Sequence, residues 1–334
     1  MSEQLPPCVP TGDRGADTAA SVTYRVHHLT AYRYRTAVTR NYGRAHVEPR
    51  TTAFQRVLSH DVTVSPQPTR LSTHTDFYGN SSTYLLVEES HEHLDLHSRA
   101  LVQVTAPIYA PDAIAQPWER CTPPHWGPLV PGASHDFTGE SPRVRISSAV
   151  QEIARDVFDP ERPIGDALST LTALIHDEFT YDSGATTVAS TLEEVLASRR
   201  GVCQDFAHVG IAVVRSMGLA ARYVSGYLRT ASAPAPESPS ALATTPAGEL
   251  IGSAASHAWL SVLVPGTGWV DIDPTNRAVV DERFVTTAWG RDYSDVAPLT
   301  GIVVGPPGAT DGLHVRVSVV PAAGEGHDSV PNRC

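Results

Sequence analysis

The feature that most constrains this chain is a change of hydrophobic period near its middle. In SVTYRVHHLTAYRY, from residue 21, large apolar residues alternate with polar ones, so that every second side chain lies on one face of an extended strand. RVLSHDVTVSP, RLSTHTDF closed by YGN, STYLLVEE and LDLHSRALVQV follow at short spacing, divided by Pro, Gly and Asn. Residues 21–108 therefore read as an antiparallel β-sandwich. From 109 to 141, in stretches such as TPPHWGP and LVPGASHD, prolines and glycines break every pattern, which reads as a linker. Beyond it ISSAVQEIARDVF, PIGDALSTLTALIHDEF and LEEVLASR, the last behind the capping residue Thr191, recur at helical spacing.

A further helix is expected from Cys203 to about Met217, with Phe206, Gly210, Val213, Val214 and Met217 on one face and Gly218 ending it. The strands ARYVSGYL, HAWLSVLV and GWVDID come next, and GIVVG and LHVRVSVV would close the same sheet. The fold class is thus α+β, an N-terminal sandwich followed by a mixed domain over 142–321. An Ala/Pro/Ser-rich insert at 230–255 reads as a flexible surface loop, residues 1–20 as a leader and 322–334 as a tail. The 334 residues suit two domains of ordinary size.

The net charge of −11, with scattered basic residues, argues against a nucleic-acid partner. No basic, then apolar, leader and no stretch of about 18 apolar residues is present, so no membrane association is expected and the chain reads as cytoplasmic. Cysteines at 8, 121, 203 and 334 form no Cys-x-x-Cys pair and read as free thiols.

One of them carries chemistry. In RRGVCQDFA, Cys203 opens a helix, where the macrodipole and unpaired N–H groups favour a thiolate. The same backbone N–H groups, that of Cys203 among them, suit an oxyanion. Buried packing is the plain alternative for a lone cysteine. His208 lies five residues on, about 140° around the helix, and points away from the thiol. His257, in SHAWLSVLV, is the better base. If the turn after HAWLSVLV holds an odd number of residues, such as the five from Val264 to Gly268, Asp273 lies opposite Trp259 and diagonal to His257. An even loop without a bulge puts the two on opposite faces. A carboxylate on one imidazole nitrogen fixes the tautomer while the other nitrogen exchanges the thiol proton.

RRGVCQDFAHVGIAVVRSMGLAARYVSGYL, SHAWLSVLVPGTGWVDIDPTN and GRDYSDVAP resemble the core of the bacterial transglutaminase-like family. FTYDSGATTVASTLEEVLASRRGVCQDFAH extends the likeness upstream, and YRVHHLTAYRY, NYGRAHVEPR and DFYGN resemble the N-terminal β-domain of many such proteins. The resemblance implies a papain-like catalytic core in which Cys203 is nucleophile, His257 base and acid, and Asp273 the orienting carboxylate. It assigns that role to the aspartate before Pro274, so Asp271 is read as a strand-end neighbour. Tyr181 is a candidate second oxyanion donor beside the Cys203 N–H, against the reading of a core tyrosine. The long insert before His257 departs from the family.

The expected reaction is acyl transfer through a Cys203 thioester, with a peptide, protein or small amide as substrate and no cofactor. The first expectation is water as acceptor, cleaving an amide or peptide bond as a peptidase or amidase; the alternative is an amine, which makes a transglutaminase or amide-forming enzyme. Two rivals stand beside this: a zinc site of Cys203, His208, His257 and Asp273, and a non-catalytic scaffold whose β-domain binds a partner. His93, Asp95 and His97 share one strand face and read as solvated side chains rather than cation ligands.

Overall fold

The computed structural model describes residues 21–126, 132–185, 190–229, 251 and 255–322; the expected leader and nearly all of the insert and tail lie outside them. Six strands come first: β1 (Ser21–Val38), β2 (Arg40–Ala45), β3 (Gln55–Ser65), β4 (Arg70–Thr75), β5 (Ser81–Val87) and β6 (His91–Thr105). The helices α1 (Pro111–Ile114), α2 (Ser148–Val157) and α3 (Ile164–Glu178) follow, then β7 (Thr180–Tyr181), α4 (Leu192–Ser198), β8 (Arg200–Gly201) and α5 (Cys203–Ser216). The chain continues with β9 (Ala221–Leu228), β10 (His257–Val264), β11 (Gly268–Asp273), β12 (Ala278–Val279), β13 (Phe284–Gly290), α6 (Tyr293–Val296), β14 (Leu299–Val304) and β15 (Thr310–Pro321). Among the described residues no helix is long and apolar enough to cross a membrane.

Two four-stranded antiparallel sheets, β15-β1-β6-β3 and β14-β2-β5-β4, form the sandwich. This corrects one expectation: GIVVG and LHVRVSVV do not close the core sheet. They return as β14 and β15 to pair with β2 and β1, giving edges of the sandwich the partners that the N-terminal segment lacks. The inner face of β1 is long enough to serve two cores. Tyr34 and Val38 pack with the second sheet, whereas Tyr24 and Val26 pack with Tyr227 and Val285 of the mixed domain. Buried His28 lies between, its ring 5.5 Å from that of Tyr227. On the outer face His97 stacks on His27, Asp95 pairs with Arg33 and His93 is exposed.

The core sheet runs β12-β11-β10-β9-β13, all antiparallel. Its apolar residues Ala258, Leu260, Val262 and Val264 face α5, which is buried nearly all round because α2, α3 and α4 cover its other sides. Gly210 makes this contact possible, since a Cβ there would sit 3.1 Å from Leu260. The stretch expected to be a linker is largely ordered. It forms α1 and three short 3-10 turns, and it buries Cys121 and Phe137 against the mixed domain.

Residues of NYGRAHVEPR and DFYGN fasten the sandwich to the core. The Asn80 side chain accepts the Trp289 N–H and donates to the Trp289 carbonyl, at 2.9 Å each. Gln55 does the same for Thr286, and the Arg50 N–H donates to the Thr286 carbonyl. Three residues thus act as an extra strand along β13.

Candidate active site

α5 begins at Cys203 because Val202 turns extended (φ −117°, ψ 178°) and Asp205 reaches back to accept the Val202 N–H at 2.9 Å. Valine has no side-chain acceptor of its own, so Asp205 is the cap. Gly201 is required by that carboxylate, since a Cβ there would lie 2.7 Å from Asp205 Oδ2. The first-turn N–H of Cys203 has no carbonyl four residues back in the helix to meet it. Cys203 as a whole is 8 % exposed.

His257 opens β10. The observed register pairs Leu260 with Ile272 and Val264 with Gly268, leaving the three-residue turn Pro265 to Thr267. Continued by one pair, it sets Trp259 opposite Asp273, the odd-loop arrangement that places Asp273 diagonal to His257. The side chains meet: His257 Nε2 and Asp273 Oδ2 are 2.9 Å apart, both fully buried. Asp273 also accepts from the Thr275 N–H at 2.9 Å, the Asn276 N–H at 3.4 Å and Asn276 Nδ2 at 2.7 Å. Four donors fix the orientation of this buried carboxylate.

Burial alone lowers the His257 imidazole, but the charges of Asp273 and Cys203 outweigh it and raise the ring to about 10. Nε2 is taken by Asp273, and Nδ1 is buried without a hydrogen-bond partner of good geometry. Nδ1 is therefore the nitrogen available to the Cys203 thiol. At Cys121 burial pushes the thiol up to about 12, as expected of a packing residue.

Tyr181 stands beside the same thiol. The two-residue parallel pair of β7 and β8 aligns Tyr181 with Gly201. Its ring is edge-on to Phe206, and it is 37 % exposed rather than a core tyrosine. Burial, then the Cys203 and Asp205 charges, raise its hydroxyl to about 12, so it stays a donor at neutral pH. His208 is packed: its Nε2 accepts the Tyr293 N–H at 3.2 Å, its ring tilts on Tyr223, and burial lowers it to about 4. It does not join His257 and Asp273, and among the described residues no group of three or more His, Cys, Asp or Glu side chains could hold a metal ion. Asp271 is paired with Ser261 across β10 and β11, and its carboxyl is turned to the Ser261 and Trp259 side chains.

Two residues near the site were not singled out from the sequence. Asn276 holds Asp273, and its signal was the Asp-Pro-Thr-Asn block itself. Tyr223 is buried behind Cys203, its hydroxyl raised by burial and then by the Cys203 charge, and a strand tyrosine in ARYVSGYL gives no cue.

The pattern of the transglutaminase-like superfamily matches residues 151–274, and that of the bacterial transglutaminase-like N-terminal region matches residues 24–103. An uncharacterized protein of Mycobacterium tuberculosis is 40% identical over 310 residues, which is 90% of this chain and 94% of that protein. The chain belongs to the transglutaminase-like superfamily. An uncharacterized Mycobacterium leprae protein is 32% identical over 303 residues, 88% of this chain and 97% of its own length. A crystal structure from Cytophaga hutchinsonii, of a protein described as a candidate cysteine protease, superposes with a TM-score of 0.69. That match has 20% identity and covers 91% of this chain and 92% of the other. This transglutaminase-like protein thus shares with it the two-part fold described above.

Proposed function

We propose that this protein transfers an acyl group through a thioester on Cys203, with water as the acceptor, and so cleaves an amide or peptide bond. The Cys203 thiolate attacks the carbonyl carbon while the Cys203 N–H, with Tyr181 as second donor, steadies the oxyanion. Collapse breaks the C–N bond, and the proton on His257 leaves with the amine. His257 then takes a proton from water, which attacks the thioester, releases the carboxylic acid and returns the thiol. Asp273 holds the ring in the tautomer both steps need. The reading is carried by the single hydrogen bond from His257 Nε2 to Asp273, which leaves Nδ1 to Cys203.

The test mixes the protein with glutaminyl and peptidyl amides plus a labelled amine, and follows cleavage, ammonia release and incorporation of label. Cleavage without label, absent in Cys203→Ala, is the expected result. Label in the product would make the protein a transglutaminase-type enzyme instead. Equal iodoacetamide rates at Cys203 and Cys121, with no turnover, would overturn the chemistry in favour of a scaffold. We also place the protein in the cytoplasm, in keeping with free Cys121 and Cys203; its recovery in a secreted or periplasmic fraction would reverse this.

A further inference from the structure

A cavity of about 420 Å³ lies between the core sheet and the sandwich, and none of Cys203, His257 and Asp273 lines it. Its volume falls within the range of about 300–1,000 Å³ usual for small-molecule sites. Phe54 and Phe284 supply apolar wall, and Trp269, Trp289, Arg222 and Asp271 the rest that matters here. Arg222 is the unusual member. It is 8 % exposed, with its Cζ 3.8 Å from the Trp289 ring centroid and 4.2 Å from that of Trp269. Arg50 stacks on Trp289 as well, 3.5 Å from its centroid.

Such stacking satisfies the flat faces of a guanidinium but leaves its edge, where the donors are, unanswered. The Arg222 Nε has no hydrogen-bond partner. Asp271 is the anion that acts most strongly on Arg222, yet its carboxyl is turned to the Ser261 and Trp259 side chains and forms no ion pair with the guanidinium. Burial lowers Arg222 to about 9 and raises the Asp271 carboxyl. Asp281, also at the cavity, is engaged by Arg283 at 2.6 Å. A buried cation with unmet donors beside an apolar chamber is costly unless an anion completes it.

We propose that this cavity binds a small organic carboxylate, its oxygens on the Arg222 guanidinium and its apolar part against Phe54, Phe284 and Trp269. The site is separate from the thiol chemistry, although Phe284 links the two, lying 6.4 Å from His257 between ring centroids.

The experiment titrates the full chain with benzoate and hexanoate, and with the matching neutral amides, by calorimetry and by the fluorescence of Trp269 and Trp289. Saturable binding of at least one acid is expected, with its amide weaker by about tenfold or more. Arg222→Gln should erase that difference, and Cys203→Ala should leave it. Should Arg222→Gln not fold, Ala53→Trp decides, because exposed Ala53 lies at the rim and its replacement plugs the chamber from a loop. Loss of acid binding in Ala53→Trp supports the site. Equal binding of acid and amide, unchanged binding in Ala53→Trp, or no saturation by either acid overturns it.

Discussion

Asp273 accepts from His257 and Asn276 at Oδ2 and from two backbone N–H groups at Oδ1, so every direction around it is met by a donor. Asp273→Asn would put an amide N–H against one of those donors whichever way it flips. The least costly escape moves the His257 proton from Nε2 to Nδ1, where it faces the thiol and blocks proton acceptance from Cys203. We expect kcat to fall on the order of a hundredfold to ten-thousandfold, with the fold retained. The same substitution has a pH signature. The His257 pKa is raised to about 10 in the folded protein, above its ordinary 6.5. Its stabilising contribution is therefore full below about pH 6.5 and lost as pH rises toward about 10. The stability gap between wild type and Asp273→Asn in urea should narrow over that window. A constant gap would mean that Asp273 does not stabilise an imidazolium.

The strands that carry this pair leave little slack. Gly226 is paired with His257 across β9 and β10, and a Cβ there would meet the Val285 carbonyl oxygen at 2.3 Å and the Trp259 ring at 2.4 Å. Neither neighbour is the free end of a flexible chain, so Gly226→Ala must open the β9–β13 ladder or tilt Trp259. A loss of about 3 kcal/mol in denaturant unfolding is expected, with turnover reduced because β10 shifts with Trp259. Unchanged stability would contradict the packing described. Much at this scale was legible in the sequence. α5 starts at Cys203, where Asp205 caps it, and stops before Gly218, whose φ of +75° few other residues accept. The hairpin joining β10 to β11 follows the parity of its loop. β13 was not legible, because FVTTAWG is covered on both faces and shows no alternation. The sheet that β14 and β15 join was not legible either. Alternation marks a strand, but its partner is chosen by long-range packing that a period does not encode.

Because β14 and β15 follow the core in sequence and complete the sandwich in space, the chain threads β-part, core and β-part again, and the two parts share the Tyr24, Tyr227 and Val285 cluster. Removing residues 21–105 would therefore strand β14 and β15 and uncover the back of β9 and β13. The N-terminal part is better probed by what loosens its seam. One buried histidine stands at that seam and another inside the core. His28 lies against Tyr227 between sandwich and core, and His208 lies between α5 and α6, holding the Tyr293 N–H. Burial lowers each to about 4; His27 adds to this at His28, and Asp292 partly opposes it at His208. Both are neutral when folded and take up a proton when unfolded near the ordinary 6.5. Their contribution is therefore present above about pH 6.5 and lost as pH falls toward about 4, at roughly 1.4 kcal/mol per pH unit for each group. Burial also lowers His27, His46 and His60, so urea unfolding across that range should show stability declining with a slope of at least twice this value, in one transition for near-UV and far-UV signals alike. His208→Gln, which keeps an acceptor for the Tyr293 N–H, should reduce the slope by roughly 1.4 kcal/mol per pH unit. Two separated transitions would show that the sandwich and the core do not fold as one unit, and an unaltered slope in His208→Gln would show that this histidine already carries its proton in the folded protein.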